Sequence, residues 1–174
     1  MQKITPFLWF DKNCEEAVKY YVDVFNRSPY KSADSKILSI VRYEKGIETP
    51  GAAEMEGKVL TAEFELNEQR FMGLDGGPIF KLNESVSFFV ECEDQKEVDY
   101  FWEKLSAVKE SEQCGWVKDK FGLSWQIIPK RMMELLGDPD REKAKRAANA
   151  MLKMKKIVVA DLEKAFENKE KEVK

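Results

Sequence analysis

The chain has 174 residues, 43% of them hydrophobic and 35% charged, with a formal net charge of −3. That length suits one domain with a sizeable core; the charge balance gives no case for a nucleic-acid or membrane partner, and no apolar run approaches the roughly 18 residues that cross a bilayer. There is no histidine, which excludes Ser-His-Asp and Cys-His nucleophilic catalysis, His-ligated zinc or iron, and imidazole proton shuttles together.

The opening residues, MQKITPFLWF, lack the basic region, long apolar core and cleavage site of a signal peptide. Three cysteines (Cys14, Cys92, Cys114) are odd in number, scattered and without a CxxC pair. Free thiols in a cytoplasmic protein are expected.

A first strand is predicted over residues 4–10, with Ile4, Leu8 and Phe10 on one face and Thr5, Phe7 and Trp9 on the other. A helix follows, its apolar face carried by Ala17, Tyr21, Val24 and Phe25. Strands are then predicted over 36–43, Val59–Leu66 and 70–74, with Asn67-Glu68-Gln69 as the turn between the last two. Residues 47–58, with Pro50, Gly51 and Gly57, read as a loop. Glu63 and Glu65 are expected to divide between the two strand faces, and neither they nor Glu15 with Glu16 make an acid/base dyad.

The pattern then recurs. Shifting the chain by 80 positions sets Leu8-Trp9-Phe10-Asp11 on Phe88-Phe89-Val90-Glu91, and Val18 to Val22 on Val98 to Trp102. The second copy predicts a strand over 85–92, a helix with Val98, Phe101, Trp102 and Leu105 inward, and strands over 113–118 and Ser124–Pro129. One strand of this half is faint. The halves are expected to share one curved sheet, since neither obviously buries both of its faces alone. Beyond Pro129 the character becomes helical: Asp138 is predicted to cap a helix with Pro139 at its first position. Its apolar face would carry Ala144, Ala147, Ala148, Met151 and Leu152, and Asp161, Leu162, Ala165 and Phe166 suggest a last short helix before a Lys/Glu-rich end.

The motifs that carry a family resemblance are Pro6-Phe7-Leu8-Trp9-Phe10-Asp11, Glu16-Ala17-Val18, Tyr20-Tyr21, Asp75-Gly76-Gly77-Pro78 with Phe80-Lys81, and Ser87-Phe88-Phe89-Val90. The longest and most specific is Gln113-Cys114-Gly115-Trp116-Val117-Lys118-Asp119-Lys120-Phe121-Gly122-Leu123-Ser124-Trp125-Gln126-Ile127-Ile128-Pro129. With these the chain resembles the PhnB-like branch, often labelled 3-demethylubiquinone-9 3-methyltransferase, of the glyoxalase/bleomycin-resistance (vicinal oxygen chelate) superfamily. The resemblance implies an α+β fold of two paired βαβββ modules forming a curved mixed sheet around a pocket, plus C-terminal helices. The implied boundaries are a domain over 1–130, with modules of about 1–80 and 81–130, and a helical extension over 131–174. It also implies a homodimer. Enzymes of the superfamily hold a divalent metal through His and Glu on the opening and closing strands, whereas other members bind compounds without a metal.

At the positions of those ligands this chain offers Thr5 and Ser85, or Phe7 and Ser87 in a register shifted by two, with Gln126 in place of Glu and Gly73 or Asp75 near the fourth position. Hydroxyls, an amide and one carboxylate are a poor cage for zinc, iron or nickel. The reading is therefore no metal and no cofactor. The methyltransferase label has no support in the motifs: no two of the nine glycines lie two apart, so the Gly-rich turn of a Rossmann nucleotide site is missing. The candidate ligand-binding residues are Phe7, Trp9, Ser87, Phe89, Gln126 and Asp75, a mixture suited to a small, partly planar organic compound. No catalytic residue is identified. Two alternatives stay open: an enzyme of unknown reaction at the same pocket, using Gln126, Ser87 or Cys114, and a structural or interaction protein with a filled interior.

Overall fold

The computed structural model describes residues 4–47 and 52–167, and its chain divides into two compact units, Met1–Asn83 and Glu84–Lys174. The first unit runs β1 (Phe7–Phe10), α1 (Cys14–Asn26), β2 (Lys36–Arg42), a short α2 (Ala52–Met55), β3 (Val59–Leu66) and β4 (Gln69–Asp75), with sheet order β1-β4-β3-β2. β1 lies parallel to β4 and the other pairs are antiparallel. The helix forms where it was expected and buries Cys14, Ala17, Val18, Tyr21, Val24 and Phe25 on one face of the sheet. Each of the larger of these side chains contributes about 1.5–3 kcal/mol by leaving water. Phe64 and Phe71 stand opposite each other on that same face, stacked at 5.4 Å.

The β3–β4 hairpin closes through Asn67 and Glu68, at φ 45° and 68°, with Leu66 paired to Gln69. Two left-handed residues make the turn whose twist matches paired strands. The loop expected over 47–58 contains α2, and its residues 48–51 lie outside the described residues. Glu63 and Glu65 do not divide between faces. Residues two apart in a strand share a face, and these two lie on the one opposite α1, where Glu63 pairs with Arg70 (3.0 Å) and Glu65 with Lys36 (3.3 Å).

The second unit runs β5 (Ser87–Cys92), α3 (Gln95–Leu105), β6 (Trp116–Lys118) and β7 (Ser124–Pro129), in the order β5-β7-β6. The described strands thus form two mixed sheets, one per unit, where one shared sheet was expected. The faint strand is replaced by a 3-10 turn over Lys109–Ser111. β6 is half its predicted length because Cys114 and Gly115 take φ of 49° and 86°, which breaks the ladder. Their N–H groups donate instead to Met154 O and Lys155 O. At Gly115 the φ of 86°, with Ile127 O only 3.1 Å from where a Cβ would stand, makes any side chain strained.

Three helices follow: α4 (Lys130–Leu136), α5 (Arg141–Met151) and α6 (Val159–Glu167). The cap of α5 is Asp140, which accepts from Glu142 N and Lys143 N; Asp138 accepts from Asp140 N in the preceding turn, so the predicted cap lies two residues early. Met132, Leu135, Ala147, Ile157, Leu162 and Phe166 pack with Ile128 of β7. Leu152, assigned to the apolar face, is exposed at the end of α5. These helices pack on β7 through Ile128, near the end of the strand.

Candidate functional site

In each unit a helix takes one sheet face and the opposite face carries the aromatic candidates. In the first unit Leu8 and Phe10 are buried toward α1, while Phe7 (48% exposed) and Trp9 lie on the open face in register with Met72 and Leu74. Ile4, grouped with Leu8, precedes the strand and is exposed. The Trp9 indole donates to Gly77 O (2.9 Å) and meets Phe80 edge-on at 4.9 Å. A Cβ on Gly76 would fall 2.2 Å from the Trp9 ring, and Gly77 takes a left-handed φ of 76°, so the two glycines after β4 have separate reasons.

Asp75 does not join them. It pairs in register with Phe10, on the helix face, and is 1% exposed. Its two oxygens accept from Cys14 N (2.8 Å) and Val59 N (2.9 Å), tying the start of α1 to the start of β3. Each oxygen thus accepts one backbone amide, which anchors these two elements, and the residue also borders the cavity beside Lys12 and Arg42. Gly73 shares that face, against the Cys14 thiol.

In the second unit Val90, Cys92, Trp125 and Ile127 are buried on the α3 side, and alternation puts Ser87, Phe89, Ser124 and Gln126 on the other. Gln126 Nε2 donates to Ser87 Oγ at 2.8 Å. Phe89, 49% exposed, is Gln126's neighbour on one side and Trp116 is its neighbour on the other. One step along, Ser87, Ser124 and Lys118 form a parallel row. Trp116 and Lys118 were not singled out as site residues. The signal for them was their alternation about buried Val117, which a three-residue strand barely displays.

The donor set on these faces does not suit a transition metal. The second unit offers one amide, two hydroxyls and an ammonium; in the first, Glu63 and Glu65 are held by cations. Among the described residues no group of three or more Cys, Asp or Glu is placed to hold a metal ion. Two cavities lie away from both faces. One of about 450 Å³ is bordered by Lys12, Glu15, Lys19 and Arg42, where Glu15 already pairs with Lys19 (2.8 Å) and Arg42 (2.7 Å). The other, of about 310 Å³, lies between α5 and α6 beside Arg146, Lys153 and Lys164.

The three cysteines are free. Burial, with the Asp75 and Glu15 carboxylates adding to it, pushes the Cys14 thiol up to about 12, and burial pushes Cys92 higher still. A thiol whose folded pKa is raised stabilises the fold below its unfolded pKa of about 8.5, and that contribution is lost as pH rises from there through 12. Cys114 is half-buried, with its sulfur accepting from Gln113 Nε2 at 3.2 Å. At pH 8 an aromatic disulfide reagent should therefore titrate one fast thiol in the native chain and three after unfolding. Fast reaction of Cys14 or Cys92 in the native chain would contradict the burial.

These features define an α+β protein with a helix-backed mixed sheet in each half. Residues 2–128 match the family model described as 3-demethylubiquinone-9 3-methyltransferase. A PhnB protein from Bacillus cereus is 34% identical over 74% of this chain and 99% of its own, with a TM-score of 0.58. A protein from Staphylococcus aureus is 30% identical over 72% of this chain and 94% of its own, with a TM-score of 0.32. PA1353 from Pseudomonas aeruginosa is 16% identical over 74% and 98%, and shares the fold at a TM-score of 0.54. No curated protein matches. The chain belongs to the PhnB-like, 3-demethylubiquinone-9 3-methyltransferase family, and α4–α6 lie beyond the matched residues.

Proposed function

We propose that this protein binds a small, partly planar organic compound, without a metal, on the open sheet face of a unit: the face with Ser87, Phe89 and Gln126 in the second, and separately the face with Phe7 and Trp9 in the first. The observation that carries this reading is the Gln126–Ser87 hydrogen bond beside half-exposed Phe89. It holds an amide in a fixed orientation next to a ring face that solvent reaches, the pairing of stacking surface and oriented polar group that small-ligand sites use. Asp75 lies on the opposite, helix-facing side of its sheet and is left out of this proposal.

The methyl-transfer activity in the family description does not fit the residues present. β1 enters α1 through Asp11-Lys12-Asn13, without the glycine-rich turn of a Rossmann-type site, and the N–H of Cys14 at the start of that helix is taken by Asp75. Free thiols favour a cytoplasmic location. No helix among the described residues is long and apolar enough to cross a membrane. A homodimer is the assembly the resemblance implies.

A thermal-shift screen of small planar organics against the full chain tests the reading. A binding compound raises the melting temperature of the wild type, and Gln126→Ala abolishes most of that gain while its own unliganded melting temperature stays within about 3 °C. A drop well beyond that without ligand would make the amide a structural element instead.

A further inference from the structure

Ser124 is 1% exposed, yet its hydroxyl makes no hydrogen bond among the described residues. A buried hydroxyl left without a partner costs about 1–3 kcal/mol, so Ser124 is a donor in the middle strand of the sheet whose hydrogen bond is still to be made. Its flanking residues in register are Lys118 on one side and Ser87 on the other. The Lys118 ammonium is engaged by the carboxylate of Glu84, a partly exposed side chain from the segment that leads into β5. That ion pair holds Glu84's carboxyl below the ordinary carboxylate range. The chain thus already shows one carboxylate reaching this ammonium, and Glu84, with more than half of its side chain exposed, is an occupant that another carboxylate can replace.

Resting on the proposed ligand-binding role of this face, we infer that the second unit recognises an aryl carboxylate, with its anionic oxygens on Lys118 Nζ and Ser124 Oγ and its ring over Phe89 and Trp116. The two rows, Lys118–Ser124–Ser87 and Trp116–Gln126–Phe89, are two residues apart along the strands, about 6.6 Å. That is close to the span from a carboxylate to the far side of an attached ring. Charge narrows the class further. One ammonium and two hydroxyls balance a single negative charge, whereas a phosphate dianion would remain uncompensated beside exposed Glu84 and Glu91.

Titration of the full chain with 2-naphthoate and with its neutral counterpart 2-naphthamide, followed by calorimetry, tests this. The wild type binds the carboxylate at least about tenfold more tightly than the amide, and Lys118→Met, which keeps the alkyl stem, removes that preference. Glu84→Gln, which frees the ammonium without touching the core, tightens 2-naphthoate about two- to fivefold and leaves 2-naphthamide unchanged. Equal binding of the two probes, or a preference that survives Lys118→Met, would overturn the carboxylate assignment while leaving a planar-ligand site in place. Binding of neither probe would overturn both.

Discussion

Replacing Asp119 with alanine is expected to destabilise the protein by about 3–5 kcal/mol, a large share of the roughly 5–15 kcal/mol that holds a domain folded. The carboxylate is 1% exposed and sits in the turn between β6 and β7. One oxygen accepts from Phe121 N (2.8 Å) and Leu123 N (3.0 Å), and the other from the Trp125 indole (2.8 Å). Trp125 is itself among the largest fully buried side chains, packed with Phe88 at 5.7 Å. Truncation leaves two buried donors and one part-buried donor without an acceptor and loosens the strand that carries Ser124 and Gln126. Asp119→Asn keeps one acceptor oxygen and should lose about half as much. Urea unfolding checks both. A loss below about 1 kcal/mol for the alanine variant would mean that water or another group replaces the carboxylate.

Asp75→Ala is the second large effect, at about 2–4 kcal/mol, because two buried amides, Cys14 N and Val59 N, lose their shared acceptor. A structural anchor and a ligand group differ in what survives. For a compound found to bind the protein, folded Asp75→Ala should keep the wild-type affinity below the lowered melting temperature. Weakened binding with unchanged stability would return Asp75 to the ligand site.

The comparison of these two carboxylates explains what the sequence could and could not convey. Strand alternation correctly separated Phe7 and Trp9 from Leu8 and Phe10, and Ser87 and Phe89 from Val90, because one face of each strand is apolar throughout. The helix faces of α1 and α3 were legible for the same reason. Asp75 was misplaced because parity within one strand says nothing of which face the neighbouring strand matches. That is set by the β1–β4 register, Phe10 opposite Asp75, which involves residues 65 positions apart. β6 was over-extended because the left-handed backbone at Cys114 is stabilised by Met154 and Lys155, whose approach no local pattern announces. α4 was invisible for a simpler reason: its seven residues are too few for helical periodicity to stand out.

The candidate sheet faces are furnished with rings, hydroxyls and an amide in place of metal-binding groups. Elemental analysis of the full chain, purified without chelator and dialysed against metal-free buffer, tests that most directly. The expected result is zinc, nickel and iron each far below one atom per chain. One tightly retained equivalent of any of them would contradict it.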